Sequence, residues 1–229
     1  MPSVFVTGAD RGLGRAFVEE FARRGFRVLA GCLELARSGE SVREVSPELT
    51  EVALDVTELE SVRAAAVATA ERVPGLDVLI NNAGINPELG VPLPELDFDD
   101  VERVIDVNAI GPLRMTQHFV PLLERGARKL ILNVSSEAGS LLRCGRTSWF
   151  GYCMSKAALN MQTRLLQNDL GARGFHVLAV HPGWMRTAMS SAEAPLAPEE
   201  SAAKIAALLL DSPELPPAFF QYDGSEHPW

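Results

Sequence analysis

Short, nearly continuous runs of Val, Leu, Ile and Ala recur along the chain, separated by longer stretches with helical spacing. This alternation constrains the fold more than any other feature. The runs are SVFVTG (3–8), RVLAGCL (27–33), TEVALDV (50–56), LDVLINNAG (76–84), KLILNVSS (129–136), HVLAVHPG (176–183) and FFQYDG (219–224). A strand with one wet face alternates apolar and polar residues, whereas a strand without alternation is covered on both faces, as in a parallel sheet. Helical spacing falls near 13–24, 58–72, 98–125, 152–172 and 198–211. The expectation is an α/β fold of the doubly wound type, a parallel sheet of about seven strands with helices on both faces. No linker, low-complexity tract or internal repeat divides the chain, so residues 1–229 read as a single domain.

Composition removes several function classes. A net charge of −9 opposes binding to nucleic acid, which needs a basic surface. No stretch approaches the roughly 20 apolar residues of a membrane span. The start of the chain shows no basic segment followed by an apolar run, so no secretory leader is legible and a cytoplasmic location is expected. Cys32, Cys144 and Cys153 are odd in number and lack metal-ligand spacing, which suits reduced thiols. His118, His176, His181 and His227 are scattered and form no zinc pattern, so no catalytic metal is expected.

Open parallel sheets bind ligands at the carboxyl ends of their strands. The first such end reads TGADRGLGRAF, in which Gly8, Gly12 and Gly14 lie between strand and helix. Glycines there permit a tight turn and close approach of a pyrophosphate to a helix N-terminus, and no Gly-Lys-Ser/Thr follows to make a P-loop. Asp55-Val56 and Asn82-Ala83-Gly84 end later strands, where they could contact an adenosine or simply make Asx turns. In YCMSK, Tyr152 and Lys156 fall one helical turn apart. The helix over 98–125 carries an apolar stripe, Val101, Val104, Ile105, Met115, Phe119, Leu122 and Leu123, that includes Asn108 and Pro112. Pro112 has no N–H, so the Asn108 carbonyl loses its helical partner. On the helix from 152, Met154, Ala158, Met161 and Leu165 lie nearly opposite Tyr152, Lys156, Leu159 and Thr163. The second face predicts a partner subunit, in a homodimer or homotetramer.

TGADRGLG, LDV, NNAG, Asn108 in DVNAIGP, NVSSEAG, YCMSK and HPGWMRT occur in the order seen in the short-chain dehydrogenase/reductase family, which residues 3 to about 187 resemble. YCMSKAALNM, HPGWMRT and FFQYDGSEHPW resemble its C-factor and sniffer-type carbonyl reductase branch. The resemblance implies a Rossmann fold, a nicotinamide cofactor, NAD(P)(H), and redox chemistry on a small-molecule substrate, a carbonyl or secondary alcohol. It implies Asn108, Ser136, Tyr152 and Lys156 as the catalytic set, with Lys156 also holding the cofactor's ribose and Asn108 serving a proton relay. Ser136 is chosen over Ser135 because it stands in the S-x-x-G register, although its separation from Tyr152 is a few residues longer than usual. Cofactor contacts are implied for Gly8, Arg11, Gly12, Leu13, Gly14, Leu33, Asp55, Val56, Asn82, Ala83, Gly84, Pro182, Gly183 and Thr187. Trp149, Trp184 and Phe150 are candidates for a substrate wall. The segment 188–198 is short for a family lid. A nucleotide-bound signalling protein that retains the fold is the alternative; the intact set of four favours the enzyme.

A carbonyl gaining hydride needs a proton donor near neutral pH, whereas a free Tyr titrates near 10. At about 4 Å and an effective dielectric of about 20, a unit-charge pair is worth about 4 kcal/mol, or roughly three pKa units. The sequence therefore predicts that Lys156 brings the Tyr152 phenol down towards neutrality. For the cofactor, alignment with the family puts Cys32 and Leu33 where an acid or an arginine usually selects the ribose. Arg11 in the glycine loop then tilts the choice towards NADP(H), with Glu34 and Arg37 nearby.

Overall fold

The computed structural model describes every residue except 88, 89, 188, 190–192, 213, 214 and 217. The elements run β1 (Ser3–Thr7), α1 (Gly12–Arg23), β2 (Arg27–Cys32), α2 (Leu33–Ser38), β3 (Val42–Ser46), β4 (Leu49–Ala53), α3 (Leu59–Ala70), β5 (Val78–Asn81), α4 (Phe98–Ile105), α5 (Gly111–Leu123), β6 (Leu130–Val134), α6 (Phe150–Leu170), β7 (His176–His181), α7 (Pro198–Leu210) and β8 (Phe219–Gln221). The strands form one eight-stranded sheet in the order β3-β4-β2-β1-β5-β6-β7-β8. Every pairing is parallel except β3 with β4.

The unbroken apolar runs follow from two cores. Val4, Val6, Val28, Ala30, Val78 and Ile80 pack with Phe17 and Phe21 of α1 and Ile205 and Leu209 of α7. The residues between them, Phe5, Leu29 and Leu79, pack on the other face with Val62 of α3 and Met115, Phe119 and Leu123 of α5. Because side chains alternate across a strand, a strand buried on both sides must be apolar throughout. Phe5 and Phe119 meet edge to face with ring centroids 4.7 Å apart.

The structure adds an eighth strand to the expected seven. VREVS of β3 is an antiparallel edge strand whose residues are exposed or only partly buried, and its two valines among charges give little apolar signal. The single helix expected over 98–125 is three pieces, with a π-helical turn at Asp106–Ile110 between α4 and α5. There the Gly111 N–H reaches back to the Asp106 carbonyl, one residue beyond the normal spacing. Pro112 supplies the cause, since it cannot donate into the ladder. Across the break, the Gln162 amide of α6, turned so that both its groups are satisfied, accepts from Leu113 N at 3.2 Å and donates to Ala109 O at 2.9 Å. The two faces of α6 fall as the spacing predicts: Lys156, Leu159 and Thr163 are buried, while Met154, Met161 and Leu165 are more than half exposed. Among the described residues no helix is long and apolar enough to cross a membrane.

Candidate active site

The strand order reverses between β1 and β5, and the ends of these two strands are stitched together. Thr7 Oγ1 accepts from the backbone N–H groups of Asn82 and Ala83, each at 2.9 Å. Asn82 Nδ2 donates to the carbonyls of Thr7 at 2.9 Å and Gly8 at 3.2 Å. Gly8 takes φ +62°, and a Cβ on it would stand 2.8 Å from Ala83 Cα. Gly14 lies so close beneath the loop that a Cβ would stand 2.1 Å from the Gly8 carbonyl oxygen. The first turn of α1 carries neither a side-chain cap nor an acid, so its orphan amides are free for an anion.

From this loop a cleft of about 1550 Å³ runs along the carboxyl ends of the strands. It is larger than a typical small-molecule pocket of about 300–1,000 Å³ and has room for a dinucleotide and a substrate together. All the cofactor residues selected from the sequence line it, as do Ser136, Tyr152, Lys156, Trp149 and Trp184. Asn108 lies beneath it, fully buried. Phe150 opens α6 and takes no part in the lining. Residues 188 and 190–192 of the short candidate lid lie outside the described residues.

The two candidate serines differ in the partners of their hydroxyls. Ser135 is buried and its hydroxyl donates to Asn160 Oδ1 at 2.6 Å. Ser136 is buried too and both serines line the cleft, but Ser136 accepts from Ala138 N at 3.1 Å and shares a hydrogen bond with the Tyr152 phenol. Lys156, 4% exposed, donates from Nζ to the Val134 carbonyl at 2.8 Å. Asn108 grips the backbone of Ile85 at both groups: Oδ1 accepts from Ile85 N at 2.8 Å and Nδ2 donates to Ile85 O at 2.9 Å. Its Nδ2 also donates to Ser155 Oγ at 3.1 Å, tying the π-helical turn to α6. Trp149 holds the left-handed conformation, φ 66° and ψ 42°, at the start of α6. Its ring meets Tyr152 edge to face at 6.0 Å, with the Arg146 guanidinium 4.1 Å over its own face. Arg146 pairs in turn with Glu137.

The expected electrostatic coupling is not what these groups produce by themselves. Burial pushes the Tyr152 phenol up to about 12, with the Ser136 bond opposing it, and Lys156 is not among the causes. Burial likewise pushes Lys156 down to about 8. The Lys156 ammonium sits 5.7 Å from the Tyr152 ring centroid and spends its bond on a carbonyl, so desolvation dominates both groups. At pH 7 the outcome is a neutral phenol beside a mostly protonated lysine.

Sequence reasoning missed Asp10 and His181. Asp10 reaches out of the glycine loop to cap α2, accepting from Leu33 N and Glu34 N at 3.0 Å each. Local capping patterns cannot find a cap 23 residues from its helix. His181 Nδ1 accepts from Glu137 N at 3.3 Å, and burial pushes its ring down to about 4, which keeps it neutral. Asp55, by contrast, makes the Asx turn: its Oδ1 accepts from Thr57 N at 2.9 Å and Thr57 Oγ1 at 2.6 Å. Among the described residues no group of three or more His, Cys, Asp or Glu is placed to hold a metal ion.

The family model for short chain dehydrogenases matches residues 2–196. The chain belongs to the short-chain dehydrogenase/reductase family. Members of this family are oxidoreductases that act on CH–OH and C=O groups with NAD(H) or NADP(H). The chain is 38% identical over 192 residues to human retinol dehydrogenase 5, a match covering 83% of this chain and 58% of that protein. It thus spans under two thirds of the length of the curated retinol dehydrogenases it matches. It is 40% identical over 155 residues to the C-signal protein of Myxococcus xanthus, covering 67% of this chain and 93% of that one. NADPH-bound carbonyl reductase from chicken fatty liver superposes with a TM-score of 0.83 at 30% identity, over 100% of this chain and 99% of the other. The carbonyl reductase Sniffer of D. melanogaster shares the fold over the full length of both chains, with a TM-score of 0.87 at 24% identity.

Proposed function

We propose that this short-chain dehydrogenase/reductase is a carbonyl reductase in which Tyr152 donates the proton to the carbonyl oxygen. The observation that carries the reading is the meeting of Ser136, Tyr152 and Lys156 at one end of a cleft whose other end is the glycine loop. A bound nicotinamide supplies the hydride. Ser136 orients the carbonyl through its hydroxyl, and Tyr152, held neutral by burial, is in the correct state to donate at pH 7. Lys156 holds the ribose hydroxyls and lends positive charge to the oxygen anion as it forms. Asn108 fixes the Ile85 backbone beneath them. Thr187, Pro182 and Gly183 hold the carboxamide end, and the uncapped N-terminus of α1 takes the pyrophosphate. Trp149 and Trp184 form the substrate wall. Assay of an aldehyde and ketone panel with each reduced cofactor tests the reading. The likeness to C-signal favours a second one, a nucleotide-bound signalling protein, for which the same panel gives no turnover.

For the cofactor we infer a modest preference for NADP(H). Arg11 is exposed at the cleft rim with no ion-pair partner among the described residues, whereas Glu34 is paired with Arg37 at 2.9 Å. The preference is modest because Asp10 already occupies the first two amides of α2, leaving a 2′-phosphate to the arginine side chains. Arg11→Ala should weaken NADPH binding about tenfold, the scale of one charge-assisted contact, while NADH changes by less than about twofold. Fluorescence titration reads both constants, and tighter NADH binding by the unmodified protein would refute the preference.

The exposed Met154, Met161 and Leu165 face of α6 fits a second copy of the chain. Sedimentation as a monomer across micromolar concentrations would contradict that assignment. An odd number of cysteines without metal-ligand spacing suits a cytoplasmic location.

A further inference from the structure

The turn that carries Ser136 and the helix that carries Tyr152 come from different parts of the chain, yet the proposed chemistry needs their hydroxyls at one point. One side chain outside the expected catalytic set spans both. Asn160 is 4% exposed and lies eight residues, about 12 Å of helix, beyond Tyr152 on α6. Its Oδ1 accepts from the Ser135 hydroxyl at 2.6 Å. Its Nδ2 donates to the Gly139 carbonyl at 3.2 Å. The two bonds grip the turn on either side of Ser136. At its Gly139 end the turn presses directly on α6: a Cβ at Gly139 would stand 2.6 Å from the Lys156 carbonyl carbon. The turn is also held by His181 at Glu137, but that anchor belongs to β7 and carries no information about α6.

We propose that Asn160 is a positioning residue that sets the Ser136 hydroxyl against the Tyr152 phenol, and so acts on turnover through Ser136. The inference rests on the proposed function. Both of Asn160's amide groups are committed to the turn, and truncation releases the turn at both ends. A misplacement of about 1 Å between reacting groups can cost about a hundredfold in rate.

The test is a double-mutant cycle on kcat, each variant normalised to the cofactor-binding fraction so that unfolded protein does not count. Asn160→Leu should lower kcat about 10- to 100-fold with cofactor affinity unchanged, and should have little further effect in a Ser136→Ala background. Asn160→Ala, which removes the same bonds without filling the site, gives the same cycle should the leucine variant fail to fold. Thr163→Val serves as the structural control. It breaks the buried bond from Asn133 Nδ2 to Thr163 Oγ1, 2.9 Å long and one turn further along α6. It should lower thermal stability and leave kcat alone. An undiminished effect of the Asn160 variants in the Ser136→Ala background overturns the proposal and leaves the proposed function standing. A Ser136→Ala enzyme with unaltered kcat overturns the role of Ser136 and this inference with it.

Discussion

Replacing Tyr152 with Phe should lower the rate of carbonyl reduction by about 10²–10⁴-fold, the range that a positioned proton donor contributes. The substitution removes one oxygen and keeps the ring. The edge-to-face contact with Trp149 at 6.0 Å and the place of the ring beside Lys156 are therefore retained. Ser136 loses one partner but still accepts from Ala138 N. Loss of a single hydrogen bond bounds the stability change at about 1 kcal/mol. The expected pattern is thus a collapse of kcat with cofactor affinity and melting temperature nearly unchanged. Steady-state kinetics, cofactor titration and thermal unfolding on one preparation read all three. Unaltered turnover on a verified substrate would remove Tyr152 from the chemistry.

Gly14→Ala carries the second large effect, on cofactor binding. The added methyl would stand 2.1 Å from the Gly8 carbonyl oxygen and 2.6 Å from Asn82 Nδ2. The first obstacle is backbone, not the free end of a flexible side chain, so the loop itself must move. Moving it breaks the ties from Asn82 to the Thr7 and Gly8 carbonyls that join β1 to β5. Overpacking of this kind costs about 1–3 kcal/mol in stability. A displaced phosphate loop should weaken either nicotinamide cofactor about a hundredfold, since the loop amides and the α1 N-terminus both shift. Gly12→Ala is the informative contrast. Gly12 has φ +56°, but its added methyl would meet nothing nearer than Thr187 Cγ2 at 3.7 Å. It suffers the left-handed strain of about 1–2 kcal/mol without the collision. Fluorescence titration should rank Gly14→Ala well below Gly12→Ala, and equal affinities would contradict the packing argument.

What the sequence revealed and what it concealed divide along physical lines. The central parallel strands were legible because burial on both faces makes them nearly unbroken apolar runs, as in VFV of β1 and LIL of β6. β3 was not, because an exposed edge strand is written in charges. The π-helical turn left a partial trace: Pro112 announces that a carbonyl is freed, but the change in spacing at Asp106–Ile110 depends also on Gln162 of a distant helix. Helical spacing and strand ends place Tyr152, Lys156 and the glycine loop without tertiary information, and the order of motifs resembling the short-chain dehydrogenase/reductase family is what gave them roles. Asp10, His181 and Asn160 were hidden because each acts on backbone groups far away in the chain. The Tyr–Lys electrostatics were misjudged for a related reason. Spacing states that two groups are near, but only the packed structure states how completely both are desolvated.

The central claim is that this cleft moves hydride to a carbonyl. Its most direct measurement is the loss of reduced-cofactor absorbance when the unmodified protein meets a panel of aldehydes and ketones, with cofactor binding checked on the same sample. The account predicts carbonyl-dependent oxidation of the cofactor, faster with NADPH than with NADH and lowered at least about a hundredfold by Tyr152→Phe. Tight cofactor binding with no turnover on any carbonyl of the panel would contradict it.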